Sequence, residues 1–118
     1  MRRPPAIEAY GGGGFRIEDV RYEGSVLILA DVVRPWPVAS LADLKPEHFD
    51  AVVAAGPAVA EFALLGLGSA MAPPPRAVRE ALAAARVGLE VMDTPSAIRL
   101  YNVLAKEGRR IAAALIAV

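Results

Sequence analysis

Residues 59–68 read VAEFALLGLG, and the fold turns on how this run is read. It is almost continuously apolar, lacks the alternation of a half-exposed strand, and ends on Gly66 and Gly68, as expected of a strand covered on both faces in a parallel sheet. From here the chain keeps switching period. Pro73, Pro74 and Pro75 open a helix in which Ala77, Val78, Ala81, Leu82 and Ala85 recur at helical spacing, while Arg76, Arg79, Glu80 and Arg86 take the remaining positions. LEVMD (89–93) is the next strand. TPSAIRLYNVLAKEG (94–108) is the next helix, with Thr94 expected as its N-cap, Pro95 at the first helical position and Gly108 as a left-handed terminator. IAAALIAV (111–118) closes the sheet.

Toward the N-terminus, LKPEHFDAVVAA (44–55) predicts a further helix, with Pro46 in its first turn, Glu47 facing the positive end of its dipole, and Gly56 and Pro57 stopping it. In VRPWPV (33–38) two prolines flank Trp36 and exclude a central strand, which leaves an edge strand or an extended crossover with Trp36 packed against the sheet. FRI (15–17) and GSVLILA (24–30) flank EDVRYE and predict an antiparallel hairpin. Residues 1–14, with prolines and four consecutive glycines, predict a loose arm. The expectation is a single α/β domain over 1–118: a mixed sheet with a parallel core, an N-terminal antiparallel hairpin, and helices packed on the sheet. Strands are expected over 24–29, 60–65, 89–92 and 111–117, and helices over 74–85 and 95–107.

Composition supports a real core. Of the 118 residues 55% are hydrophobic and 22% charged, too apolar for a chain held open by its own charge. Thirteen basic and thirteen acidic side chains cancel, so no net field draws the domain to nucleic acid or an anionic membrane. The absence of cysteine excludes disulfides, thiolate nucleophiles and cysteine metal sites, and suits a reducing compartment. His48 is the single histidine, which excludes a multi-histidine metal centre, and its setting in KPEHF reads as a surface side chain. No apolar run approaches the roughly 18 to 20 residues that cross a bilayer, and the N-terminus lacks the apolar stretch of a secretory signal. The expected location is cytoplasmic.

Catalytic signatures are absent. GLGSAM lacks the third glycine of a dinucleotide fingerprint and is not followed by Lys-Ser or Lys-Thr. Ser25, Ser40, Ser69 and Ser96 sit in no GxSxG elbow, and the carboxylates show no acid–base spacing. The reading leans away from an enzyme and assigns no catalytic residue, cofactor or metal. Ligands of open α/β sheets bind beyond the carboxyl ends of parallel strands, and two loops there form one candidate site: Gly66, Gly68 and Ser69 after the first strand, and Asp93, Thr94, Ser96, Arg99 and Asn102 after the next. Arg99, Asn102 and Lys106 form one polar stripe on the last helix. This stripe reads either as a solvated face with Arg99 paired to Asp93, or as an anion site using Arg99, Ser96 and backbone amides.

The strings YGGGGFRI, YEGSVLIL, LLGLGSAMAPPPRAVREAL and EVMDTPSAIRLYNVLAKEGRRIAAALI, in that order, resemble the small domain of the mitochondrial complex I assembly factor 3 family, the adipogenesis-associated domain proteins and many uncharacterised bacterial and archaeal relatives. The match spans residues 7–117. The resemblance implies a compact α/β domain with a mixed sheet. It also implies assistance in assembling respiratory complex I with a protein partner for the mitochondrial members, and no catalytic residues for the family. Leu67 departs from a loop that usually reads GTG, and Ile98 and Leu100 from an ACRTYN-like string. The leading expectation is therefore a non-enzymatic assembly or adaptor protein that binds another protein rather than nucleic acid and assists a respiratory or membrane complex. The alternative is a small-molecule or anion-binding protein, or weak enzyme, using the loops after Leu65 and Met92.

Overall fold

The computed structural model describes residues 3–69 and 72–118. Among these residues eight strands and three α-helices follow one another as β1 (Ile7–Gly11), β2 (Gly14–Ile17), β3 (Val20–Glu23), β4 (Val26–Leu29), β5 (Val32–Pro35), α1 (Asp50–Ala55), β6 (Phe62–Gly66), α2 (Arg76–Ala84), β7 (Gly88–Met92), α3 (Thr94–Lys106) and β8 (Ile111–Leu115). They make two sheets, an antiparallel one in the order β1-β2-β3 and a mixed one in the order β5-β4-β8-β6-β7. β8 lies parallel to β6 and antiparallel to β4, so the C-terminal strand joins the parallel half to the antiparallel half.

The side-chain alternation of the central strands divides the interior in two. Leu27, Leu29, Ala63, Leu65, Ala112 and Ala114 face a first core that includes Trp36, Phe49, Val78 and Leu82. Val26, Ile28, Leu64, Ala113 and Leu115 face a second, with Phe15, Ile17, Ile98 and Tyr101. α2 therefore covers one face of the large sheet, and α3 with the small sheet covers the other. Every residue of β8 is buried, and its three central alanines allow bulky side chains to approach from both faces. Trp36 is fixed within the first core because its indole Nε1–H donates to the His48 carbonyl at 2.9 Å. His48 is half-buried, and its Nδ1 accepts the Lys45 N–H at 2.9 Å.

Two N-terminal expectations are corrected. FRI does not pair with GSVLILA. Glu18 and Asp19 take positive φ angles (48° and 66°) and form a two-residue turn, so VRYE becomes a strand of its own; Ala30 and Asp31 make the same turn between β4 and β5. Neither turn contains glycine, so neither could be read from its residue types. Residues 7–14 are also not loose: β1 pairs with β2, and the glycines between them turn tightly. A Cβ at Gly14 would collide with the Tyr22 carbonyl, so glycine is required there. The Gly13 N–H donates to the Val118 carbonyl at 2.9 Å, tying the turn to the C-terminal segment. Met1 and Arg2 of the expected arm lie outside the described residues.

Elsewhere only boundaries move. The helix expected in 44–55 is a 3-10 turn over Pro46–Phe49 that runs into α1, ended by Gly56 at φ 75°. VRPWPV supplies the edge strand β5. The last helix is capped by Asp93 rather than Thr94, because the Asp93 carboxylate accepts the Ser96 N–H while the Thr94 side chain turns inward. Leu82 is completely buried in the first core, whereas Arg76 is 91% exposed and bonds only Glu80 one turn on. Leu82→Ala is therefore expected to cost roughly 2 to 5 kcal/mol through the cavity it leaves. Arg76→Ala should cost about 0.5 kcal/mol or less. Urea melts of both variants check this, and equal losses would contradict the assigned face of α2.

Candidate functional site

The carboxyl ends of β6, β7 and β8 lie side by side, since Gly66 is in register with Met92 on one side and Leu115 on the other. The two loops singled out in the sequence therefore share one edge of the sheet. The edge is closed by its own hydrogen bonds. Gly66 C=O accepts the Ile116 N–H and Met92 C=O accepts the Leu67 N–H, both at 2.9 Å. Thr94 is fully buried between them. Its hydroxyl accepts the Gly68 N–H and donates to the Ile116 carbonyl, each at 2.8 Å, and its own N–H donates to the Gly68 carbonyl at 2.8 Å. A Cβ on Gly66 would lie 2.8 Å from the Thr94 hydroxyl oxygen and 2.9 Å from its Cα. Glycine is needed at position 66 because the first residue of α3 packs directly on the strand end.

The start of α3 is equally occupied. A helix N-terminus attracts anions because its first N–H groups lack partners. Here Thr94 donates to Gly68, Pro95 has no N–H, and Ser96 donates to Asp93 Oδ1 at 2.8 Å. Asp93 Oδ2 accepts the Ser96 hydroxyl at 3.0 Å, and the Ser96 oxygen in turn accepts a guanidinium N–H of Arg99 at 3.1 Å. The backbone N–H of Ser96, then its hydroxyl, and more weakly the charge of Arg99, hold the Asp93 carboxyl below the usual aspartate range. Arg99 thus reaches Asp93 through Ser96, and its side chain is otherwise exposed.

The eight candidate residues separate into distinct groups. Gly66, Gly68 and Thr94 form the closed strand-end lock; Asp93, Ser96 and Arg99 form the cap; Ser69 is exposed beside them, and Ala70 and Met71 of GLGSAM lie outside the described residues. Asn102 belongs elsewhere. Its side-chain amide accepts the Ile7 N–H at 3.0 Å and donates to the Ile7 carbonyl at 2.9 Å, acting as a strand partner for β1. From the preceding residue, the Tyr101 hydroxyl donates to the Pro5 carbonyl at 3.0 Å. This docking leaves an open concavity of about 530 Å³ whose lining includes Arg3, Pro5, Ala105 and Lys106, a feature hidden from sequence because residues 1–14 read as a loose arm. Among the described residues no cluster of His, Asp and Glu is arranged to hold a metal ion, and no helix is long and apolar enough to cross a membrane.

Fold and strand-end chemistry together define a small α/β domain with a mixed five-stranded sheet and a tightly closed sheet edge. The chain belongs to the family described as "Protein of unknown function (DUF498/DUF598)", whose pattern matches residues 7–116. It is 38% identical over 110 residues to an uncharacterised protein of Rhodobacter capsulatus, covering 93% of this chain and 82% of that one. It is 32% identical over 110 residues to the human NADH dehydrogenase [ubiquinone] 1 alpha subcomplex assembly factor 3, covering 93% of this chain and 59% of that protein. The chain thus spans little more than half of the assembly factor. A solved structure described as an outer membrane protein from Bartonella henselae superimposes with a TM-score of 0.89 at 31% identity, covering 98% of this chain and 96% of that one.

Thr94→Val should leave the Gly68 N–H and the Ile116 carbonyl unpaired, at roughly 1 to 3 kcal/mol for each group. Thr94→Ser keeps the hydroxyl and should lose about 1 kcal/mol, near the value of one buried methylene. Chemical denaturation of the pair separates the hydroxyl from the methyl. The Asp93 cap carries a pH signature. Its folded-state pKa is lowered, so its stabilisation is fully present above the unfolded-state value and is lost as pH falls through the folded-state value. Asp93→Asn keeps the cap acceptor without the titration. Its stability deficit relative to the wild type should therefore shrink on acidification below the ordinary aspartate range; a deficit independent of pH would contradict the cap.

Proposed function

We propose that this chain is a non-enzymatic assembly or adaptor protein, working in the cytoplasm by binding another protein and assisting the construction of a respiratory or other membrane complex. The observation that carries the reading is the occupied sheet edge. Where α/β enzymes and ligand-binding domains leave helix N–H groups and glycine loops open to a substrate, here the donors of Thr94 and Ser96 and the Gly68 amide are all engaged within the chain. The likeness to the assembly factor supports the same reading, although this chain corresponds to 59% of that protein.

Deleting the gene in its host and resolving the membrane complexes by native electrophoresis tests it. The expected result is loss of a mature multi-subunit membrane complex with accumulation of a subassembly, restored by the wild-type chain. Unchanged complexes would overturn the reading. The competing view, an anion site at Arg99, requires saturable thermal stabilisation by phosphate or a small carboxylate that disappears in Arg99→Ala; the expected result is no saturable shift in either protein.

A further inference from the structure

Among the described residues β7 is the edge of the large sheet, with β6 as its one strand neighbour. The Gly88 N–H donates to the Glu61 carbonyl at 3.0 Å and the Met92 carbonyl accepts the Leu67 N–H at 2.9 Å, so Gly88, Glu90 and Met92 point their backbone groups inward. By alternation, Leu89 and Val91 present their N–H and C=O groups outward, ready to accept another strand. Native edges are usually blunted by proline, a bulge or a covering element, and GLEVM contains no proline.

One face of this edge is cationic. α2 runs beside β7, and between them lies a groove of about 490 Å³ lined by Arg79, Ala83, Arg86, Val87, Gly88 and Leu89. Arg79 and Arg86 are both exposed, while the neighbouring Arg76 is already paired with Glu80. The side chains of Leu89 and Val91 pack toward α2, so Glu90 lies on the opposite face with Met92. The groove face therefore carries two positive charges and the other face one negative charge.

Arg86 also holds an unfavourable backbone position. α2 ends in a Schellman motif: the Val87 N–H donates to the Leu82 carbonyl and the Arg86 N–H to the Ala83 carbonyl, both at 3.0 Å. Arg86 occupies the left-handed position of that motif, at φ 63°. The equivalent position at the end of α3 is Gly108, at φ 85°, with the Arg109 N–H donating to the Leu104 carbonyl and the Gly108 N–H to the Ala105 carbonyl. The fold thus uses the favoured glycine at one helix end and a strained arginine at the end beside the open strand.

We infer that β7 is a docking edge for an extended acidic segment of a partner protein, which adds as a strand to Leu89 and Val91 and places carboxylates at alternate positions against Arg79 and Arg86. Its intervening side chains face Glu90 and are neutral or basic. This inference rests on the protein-binding reading above and assigns the surface and the chemistry of the partner.

The test uses the full chain, labelled with ¹⁵N, and two blocked ten-residue peptides: one alternating glutamate with threonine and valine, the other carrying lysine in place of glutamate. The glutamate peptide should shift the Leu89 and Val91 amides saturably and slow their hydrogen exchange, with affinity falling as salt rises. The lysine peptide should bind roughly three- to tenfold more weakly, as expected for losing two exposed charge pairs. Arg86→Gly is the decisive variant, because it should raise thermal stability while weakening the glutamate peptide, so its loss of binding cannot come from misfolding. The double charge reversal Arg79→Glu with Arg86→Glu should invert the preference between the peptides. Equal binding of both peptides, shifts confined to other surfaces, or shifts at β7 that depend only on protein concentration and so report self-pairing would each overturn the inference. If a partner identified by the assembly defect is retained equally by wild type and the double reversal, the docking edge is refuted while the adaptor reading stands.

Discussion

The buried hydroxyl of Thr94 is the contact on which most of the arrangement depends. It joins the loop after β6 to the segment after β8 and belongs to the first residue of α3, so one side chain sets how the helix leaves the sheet. A hydroxyl removed from water is tolerated only when both its donor and acceptor functions are met, and here both partners are backbone groups. The position of the helix then determines more than its own packing. Tyr101 and Asn102, two turns along, hold the chain at Pro5 and Ile7, so the place of the small sheet over the second core follows from the same fixed helix.

β8 supplies the second constraint. It is hydrogen-bonded on both sides and covered on both faces, so its residues must satisfy two cores together. Alanine at 112, 113 and 114 gives up apolar area on β8 itself and allows Trp36 and Phe49 on one side, and Phe15 and Tyr101 on the other, to fill the interior. Leu67 and Ile98, which depart from the usual strings of the resembling family, are both buried, Leu67 in the first core and Ile98 in the second. Their side chains add apolar packing around the strand ends.

What could be read from the sequence follows from how local each signal is. Apolar runs and helical spacing identify β6, α2, β7, α3 and β8 because each buries a continuous face, and periodicity reports burial directly. The N-terminal third was harder. Turns at Glu18–Asp19 and at Ala30–Asp31 take left-handed backbone without glycine, so residue types alone do not mark the strands that follow them. The glycine run carries no local sign of order because its order comes from Val118 and, through Ile7, from α3, roughly a hundred residues away. The loops after β6 and β7 lie side by side because the two strands are neighbours, yet whether glycines admit a ligand or a neighbouring helix is decided by tertiary packing. Gly66 faces Thr94, and no local pattern encodes that.

The contrast between Arg86 and Gly108 bears on function in the same physical terms. Left-handed backbone costs a residue with a Cβ roughly 1 kcal/mol or more relative to glycine, and both helices close with the same pair of hydrogen bonds. Burial cannot offset the cost at position 86, because the side chain is exposed. Glu18, Asp19, Ala30 and Asp31 take the same left-handed backbone in the hairpin turns. Arg86 differs in closing a helix beside the edge of β7, where a costly backbone held by the surrounding hydrogen bonds keeps a cationic side chain in place. At the strand ends the backbone groups of Gly66, Gly68, Met92 and Thr94 are engaged within the chain. Along β7, by contrast, those of Leu89 and Val91 face away from β6, and it is on this contrast that the proposed docking of a partner strand rests.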